Sequence, residues 1–249
     1  MTKPPLRTSL LLALLSLSCT AAAPSAPPQA AARPLPVVKV EVWHDLVCPW
    51  CRIGLHTLDA AVASTADAKV EVVHRPFQLE PNAPASGTDM RAHLAEKFGA
   101  DKLDAMLARV GAAGARHGVT FNWDAVKVSP NTAAAHAVME WAPADKRPAL
   151  VKALHRAHFD EGKNLGDPSV LGEVAQSVGL DRGSAEAAVV DPARLEAVRT
   201  ARAEASRRGI TGVPYYVVGG RVLNGMQPPE ALRAAIQSAA GDSLPKAQP

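Results

Sequence analysis

The order of elements legible in this 249-residue chain predicts an α/β protein with a large all-helical insertion. Three observations carry that expectation. Residues 37–77 read as strand, helix, strand. The stretch 87–208 shows helical spacing and no convincing strand. Residues 209–241 return to a β-hairpin and end in a helix.

The first strand is Val37–Trp43 (VVKVEVW), where valines alternate with polar residues. Pro49 opens the following helix, at a position where its missing N–H costs nothing. Leu55, Leu58, Ala61 and Val62 then recur at helical spacing. Lys69–Phe77 (KVEVVHRPF) is the second strand, closed by Pro76 and the Pro81/Pro84 turn region. A β-α-β unit of this kind makes its strands parallel neighbours with a right-handed crossover. Helical patterns follow at Asp89–Phe98, Lys102–His117, Thr132–Trp141, Pro148–Phe159, Val170–Val178, Ala185–Val190 and Pro192–Arg207, punctuated by Gly, Pro and Asn. Tyr215–Val218 regains strand character, Gly219-Gly220 signals a tight turn, and Arg221–Asn224 is the partner strand. Pro229–Ala239 closes the chain as a helix with Leu232, Ala235 and Ile236 on one face. The expected divisions are 37–86 and 209–241 for the two halves of the α/β unit, 87–208 for the insertion, and 242–249 for a disordered tail.

The N-terminus reads as an address. Lys3 and Arg7 precede the apolar run Ser9–Leu17, which has the length of a signal peptide core and is too short to span a bilayer. A signal segment over 1–19 is expected. Leu17-Ser18-Cys19 resembles the end of a bacterial lipobox, with Ser16 where that motif prefers leucine, so Cys19 is a candidate lipid attachment site. An ordinary cut between Thr20 and Ala23 would instead discard it. Residues 20–36 are rich in alanine and proline and read as a linker, about 50 Å long if fully extended. The expected location is outside the cytoplasm, periplasmic or lipid-anchored, with membrane contact only through the lipid.

Composition narrows the function classes. The formal charge of +3 is too weak to argue for nucleic acid. Apolar residues at 47% are enough for a sizeable core. Once Cys19 is acylated or removed, two cysteines remain, Cys48 and Cys51.

Those two, separated by Pro49 and Trp50, sit where the first strand gives way to the first helix. A thiol at a helix N-terminus faces unpaired backbone N–H groups and the positive end of the helix dipole. Both favour thiolate, the nucleophile of disulfide exchange, and a favoured thiolate makes the disulfide more oxidising. Cys51 lies one turn in, on the same face and deeper. A zinc site needs about four ligands, and neither a second Cys-x-x-Cys nor a close His pair follows. A purely structural disulfide would close a very short loop and stabilise little. No metal is therefore expected, and no cofactor beyond a redox-active Cys48–Cys51 disulfide. His44 and Asp45 are within reach of the junction as tuning or proton-relaying groups, or are solvated loop residues. His136 reads as a packed structural histidine rather than one facing the cleft, and His155 and His158, three apart with Glu161 beyond, as a solvated helix edge rather than a metal site. The alternating charges from Arg194 to Arg208 read as a wet helix face. Val213-Pro214 precedes the third strand, either as an ordinary trans start or as a cis bond that bares the Val213 backbone to a substrate segment.

These motifs together resemble the FrnE-like branch of the DsbA family of thiol-disulfide oxidoreductases. The matching pieces are Asp45 to Cys51 with Ile53-Gly54, Arg75 to Leu79 with Pro81, Asn131-Thr132 with Ala135-His136, Ala157 to Gly162, Gly209 to Pro214 and Asn224 to Gln227, across about residues 38–240. The resemblance implies a thioredoxin-like fold with its helical domain inserted before a cis-proline strand. It implies Cys48 as nucleophile, Cys51 as resolving cysteine and Pro214 as the cis residue facing them. It implies exchange of the disulfide with substrate protein thiols through a mixed disulfide at Cys48, and a redox partner for turnover. The chain departs from that family in its export signal, in lacking extra C-terminal cysteines, and in having Trp50 where strongly oxidising relatives carry histidine. The alternative is a glutathione-dependent enzyme resembling kappa-class transferases or hydroxychromene-carboxylate isomerases, which do not need the second cysteine. A tethered, non-enzymatic binding module is the third reading.

Overall fold

The computed structural model describes residues 34–242. The expected signal segment with Cys19, the linker up to Arg33 and the tail beyond Asp242 lie outside the described residues. The elements run β1 (Val37–His44), α1 (Pro49–Ala63), β2 (Lys69–Pro76), β3 (Thr88–Asp89), α2 (Met90–Phe98), α3 (Leu103–Ala115) and β4 (Val128–Ser129). They continue α4 (Ala133–Trp141), α5 (Arg147–Phe159), α6 (Pro168–Ser177), α7 (Arg182–Ala188), α8 (Pro192–Arg207), β5 (Tyr215–Val218), β6 (Arg221–Asn224) and α9 (Pro229–Asp242). This is a thioredoxin-like α/β fold with the long insertion between β2 and β5.

The main sheet has the order β2-β1-β5-β6. β1 and β2 are parallel, with Val40 opposite Val72, and β5 is antiparallel to both β1 and β6. Period-two alternation sends Val38, Val40 and Val42 into the principal core with Leu55, Leu58 and Ala61 of α1 and Leu232 and Ile236 of α9. The C-terminal end of β1 is covered on its other face too. Trp43 is fully buried there against Ala205 and Ile210. The Arg75 and Arg208 guanidinium groups lie 5.7 and 5.0 Å from its ring centre. The β5–β6 hairpin turns on Gly219 (φ +55°) and Gly220 (φ +83°), a pair of left-handed residues suited to a two-residue turn.

Inside the insertion, β3 and β4 form a two-residue antiparallel ladder, pairing Thr88 with Ser129 and Asp89 with Val128. Two residues per strand carry no readable periodicity, so the sequence showed only helices there. The helices begin as their sequences dictate. Asp89, Asp167, Asp181 and Asp191 accept backbone N–H bonds as N-caps of α2, α6, α7 and α8. Most charged residues of α8 face solvent, as the alternating pattern implied.

The expectation of a solvated edge at His155 and His158 is overturned, because both are buried. They continue two inward stripes of α5, Val151–His155–Phe159 and Leu150–Leu154–His158, so the same helical period that buries the aliphatic residues buries them.

Candidate active site

Cys48 is the N-cap residue of α1, with extended backbone (φ −87°, ψ 116°) and Pro49 starting the helix. Its carbonyl accepts the Cys51 and Arg52 N–H groups, at 3.0 and 3.1 Å. Its side chain makes no capping bond, and its Sγ instead donates to the Val213 carbonyl at 3.8 Å. The Val213–Pro214 peptide is cis, the alternative favoured by the sequence resemblance. Both cysteines are free thiols, Cys48 4% exposed and Cys51 fully enclosed. Burial, followed by the neighbouring Cys48 sulfur, pushes the Cys51 thiol well above its ordinary range. Tyr216 lies close by on β5. Burial and then the two sulfurs push its hydroxyl up as well.

Glycine at position 54 permits this close approach. A Cβ there would collide with the Tyr216 hydroxyl and would stand 2.8 Å from Pro214 Cγ. Thr57, one turn on, donates to the Gly54 and Gln227 carbonyls at 2.9 and 2.8 Å, fastening α1 to the loop before α9. Arg52 fastens it to the insertion through a two-pronged pair with Asp160, at 2.8 and 2.9 Å, beneath the Phe121 and Phe159 rings.

A cleft of about 410 Å³ opens beside Cys48. Val47, Pro49, Trp50 and Val213 form one wall, and Met90, Phe98, Met106 and Trp123 line the insertion side. Its floor is apolar, with Lys97, Arg109, Glu80 and His93 also in the lining. Trp50 packs at the edge of a small cluster of Ile53, Val110, Ala113 and Val119.

His44 and Asp45 are fully buried, which overturns the solvated alternative. Asp45 accepts the Leu79 amide at 2.7 Å and the Val47 amide at 3.4 Å, and lies 3.7 Å from His136 Nε2. His136 is the packed histidine the sequence suggested, with Nε2 3.0 Å from the Phe77 carbonyl. The sequence did not single out His74, whose Nδ1 is 3.0 Å from His44 Nε2. Its signal was present in the alternation: Val70, Val72 and His74 share the inward face of β2. Burial is the leading cause that depresses these rings. His44 falls well below its ordinary range, helped by the neighbouring histidines, while His74 falls to about 4, His155 to about 3 and His158 to about 4. Each is therefore neutral near pH 7. Among the described residues no group of three or more His, Cys, Asp or Glu side chains is arranged to hold a metal ion.

Comparison with known proteins gives a consistent result. The profile of the DSBA-like thioredoxin domain family matches residues 39–237. The uncharacterized protein YwbO of Bacillus subtilis is 26% identical over 201 residues, which is 80% of this chain and 96% of that protein. A probable DsbA oxidoreductase from Streptomyces coelicolor superposes with a TM-score of 0.75 at 29% identity, over 85% of this chain and 94% of the other. The cytosolic disulfide reductase DsbM of Pseudomonas aeruginosa, solved with GSH, superposes with a TM-score of 0.60 at 19% identity, over 80% and 98% of the two chains, a likeness of fold.

Proposed function

Since this chain belongs to the DSBA-like thioredoxin domain family, we propose that it is a protein thiol-disulfide oxidoreductase using Cys48 and Cys51. Cys48 forms a mixed disulfide with a substrate cysteine, and Cys51 closes or opens the internal disulfide. One observation carries this reading: a thiol at the N-cap of α1, at a cleft mouth, with a second thiol sealed one turn behind it. The first lines the cleft and can meet a substrate. The second can meet only the first. The Val213 carbonyl beside Cys48 offers backbone pairing to an extended substrate segment, and the apolar cleft suits the side chains of an unfolded chain.

The working location is outside the cytoplasm, supported by Lys3, Arg7 and the apolar run 9–17. Turnover requires a redox partner there, since each cycle leaves the cysteine pair in the opposite state. The reading is tested by titrating the purified protein against glutathione buffers and counting thiols. Two protein thiols should appear and disappear together at a defined potential. Failure of Cys48 and Cys51 to interconvert between dithiol and disulfide would overturn it.

A further inference from the structure

A buried imidazole forms part of the cleft beside Cys48. His158 of α5 lines it and is 4% exposed, whereas Lys97 and Arg109 of the same lining are exposed. His158 Nδ1 lies 3.3 Å from the Lys163 carbonyl. A carbonyl can only accept, so Nδ1 carries the hydrogen and Nε2 keeps a lone pair. With Nδ1 turned to the backbone, the opposite edge of the ring, which holds Nε2, is the part that reaches the cleft. Nothing among the described residues donates to it. The unpartnered ring nitrogens of His44, His136 and His155 are instead shut away from solvent. Burial above all lowers His158 to about 4, with the Lys163 carbonyl and Asp45 opposing and Arg52 reinforcing that shift, so the ring is neutral near pH 7. Glu80, the carboxylate of the lining, is already met by Lys97 and by His93, the latter 3.6 Å away.

The surroundings of His158 suit an aromatic ring. Trp123 and Phe159 stand edge to face, with centres 6.0 Å apart at 86°, and the His158 ring centre is 4.7 Å from that of Phe159. Met90 and Met106 place two thioethers in the same lining, and thioethers favour aromatic partners. The volume of about 410 Å³, within the roughly 300–1,000 Å³ range of small-ligand sites, gives room for one large side chain.

We propose that the cleft selects substrate proteins with a tyrosine or tryptophan two residues from the reacting cysteine, the ring entering beside Trp123 and Phe159 and donating its O–H or N–H to His158 Nε2. This selection presupposes the disulfide exchange proposed above. A substrate segment extended along the Val213 carbonyl alternates its side chains, so residues two apart, separated by roughly 6.5 Å, share a face. The cysteine meets Cys48 while its second neighbour meets the cleft. A phenyl or aliphatic side chain would fill the same space but leave Nε2 buried without a donor, the costly arrangement for a polar atom. A site built around such a hydrogen bond rejects the analogue lacking it more sharply than an apolar pocket rejects a change of size.

The test uses oxidised protein and reduced two-cysteine peptides, quenched by alkylation and read by mass spectrometry. Each exchange oxidises the peptide dithiol to a disulfide and reduces the Cys48–Cys51 disulfide to two thiols. The residue two positions before or after one cysteine is tyrosine, tryptophan, phenylalanine or 4-fluorophenylalanine, the last filling the ring position without a donor. In one placement at least, a donor-bearing residue should react roughly tenfold faster than phenylalanine and 4-fluorophenylalanine. Preference for tyrosine or tryptophan alone supports the assignment and identifies the occupant. In His158→Leu the rates with and without a donor should converge, and His158→Gln, which keeps a side-chain acceptor, should retain part of the difference. Equal rates for all four residues in both placements would overturn the selection while leaving exchange intact. A donor preference that survives His158→Leu, or a uniform loss that keeps the ratio, would overturn it too. Should His158→Leu fail to fold, the parent series and His158→Gln still decide. If no peptide is oxidised at all, the disulfide-exchange reading itself fails.

Discussion

His74 Nδ1 and His44 Nε2 stand 3.0 Å apart in the interior, one imidazole on each of two neighbouring parallel strands. Such a contact requires at least one neutral ring, and burial keeps both neutral.

Stability should therefore depend on acidity. In the unfolded chain a histidine takes up its proton near pH 6.5. In the folded protein His74 and His158 do so only at about 4, and His155 at about 3. Between these limits the unfolded chain binds more protons, so folding stability is complete above about pH 6.5 and falls as pH drops. Three such groups together would remove up to about 4 kcal/mol per pH unit. Urea midpoints measured from pH 7.5 down to pH 4.5 should fall steeply, and a flat profile would contradict the buried neutral histidines.

The two cysteines should fail differently. Cys48→Ser is expected to abolish capture of disulfide substrates, leaving a Cys51 thiol too enclosed to react. Cys51→Ser should capture substrates and stop, accumulating mixed disulfides visible by mass spectrometry of the intact protein. Trapping by the Cys48→Ser protein instead would reverse the assigned roles.

At position 54 the usual ranking of helix residues should invert. Alanine normally stabilises a helix interior by about 1 kcal/mol over glycine. Here its methyl meets the Tyr216 hydroxyl and Pro214 Cγ. Gly54→Ala should destabilise by about 1–3 kcal/mol and push α1 away from the Val213 carbonyl. Chemical denaturation gives the first quantity, and the rate of exchange with a small disulfide reports the second. A stabilised variant with normal exchange would show that the helix has room to spare.

Phe98, 45% exposed on α2, is part of the cleft lining. Burying its ring against an unfolded substrate is worth roughly 2 kcal/mol. Phe98→Asp should therefore raise KM for a reduced protein substrate by roughly tenfold or more, while exchange with glutathione stays near normal. Equal loss for both substrates would mean that the cleft does not hold the chain.

Much of this site was legible in the sequence. Cys48-Pro49-Trp50-Cys51 sits between a valine-alternating strand and a proline-started helix, and that local context alone puts Cys48 at the start of α1, where it is the N-cap residue. The sheet was equally legible, because period-two valines and a Gly-Gly turn are local signals. The histidines were not. His155 and His158 are polar residues on a helix, and local spacing shows only that they share a face with leucine and phenylalanine. Whether that face meets water depends on what packs over it. His44 and Asp45 look like loop residues beside a turn, and only the crossing of the insertion over the end of β1 removes them from solvent. The β3–β4 ladder escaped for a simpler reason, since two residues make no pattern.

The strand order has one more consequence. The chain leaves the sheet at its outer strand, β2, and returns to the inside position beside β1 only at β5. Pairing of Trp43 with Tyr215 closes a loop that contains the entire insertion. Contacts of such long sequence separation form late, because the chain must be ordered before they reward it. A nascent or half-finished molecule thus carries the Cys-Pro-Trp-Cys turn without the Val213 carbonyl beside Cys48, and acquires a specific bite only on completion.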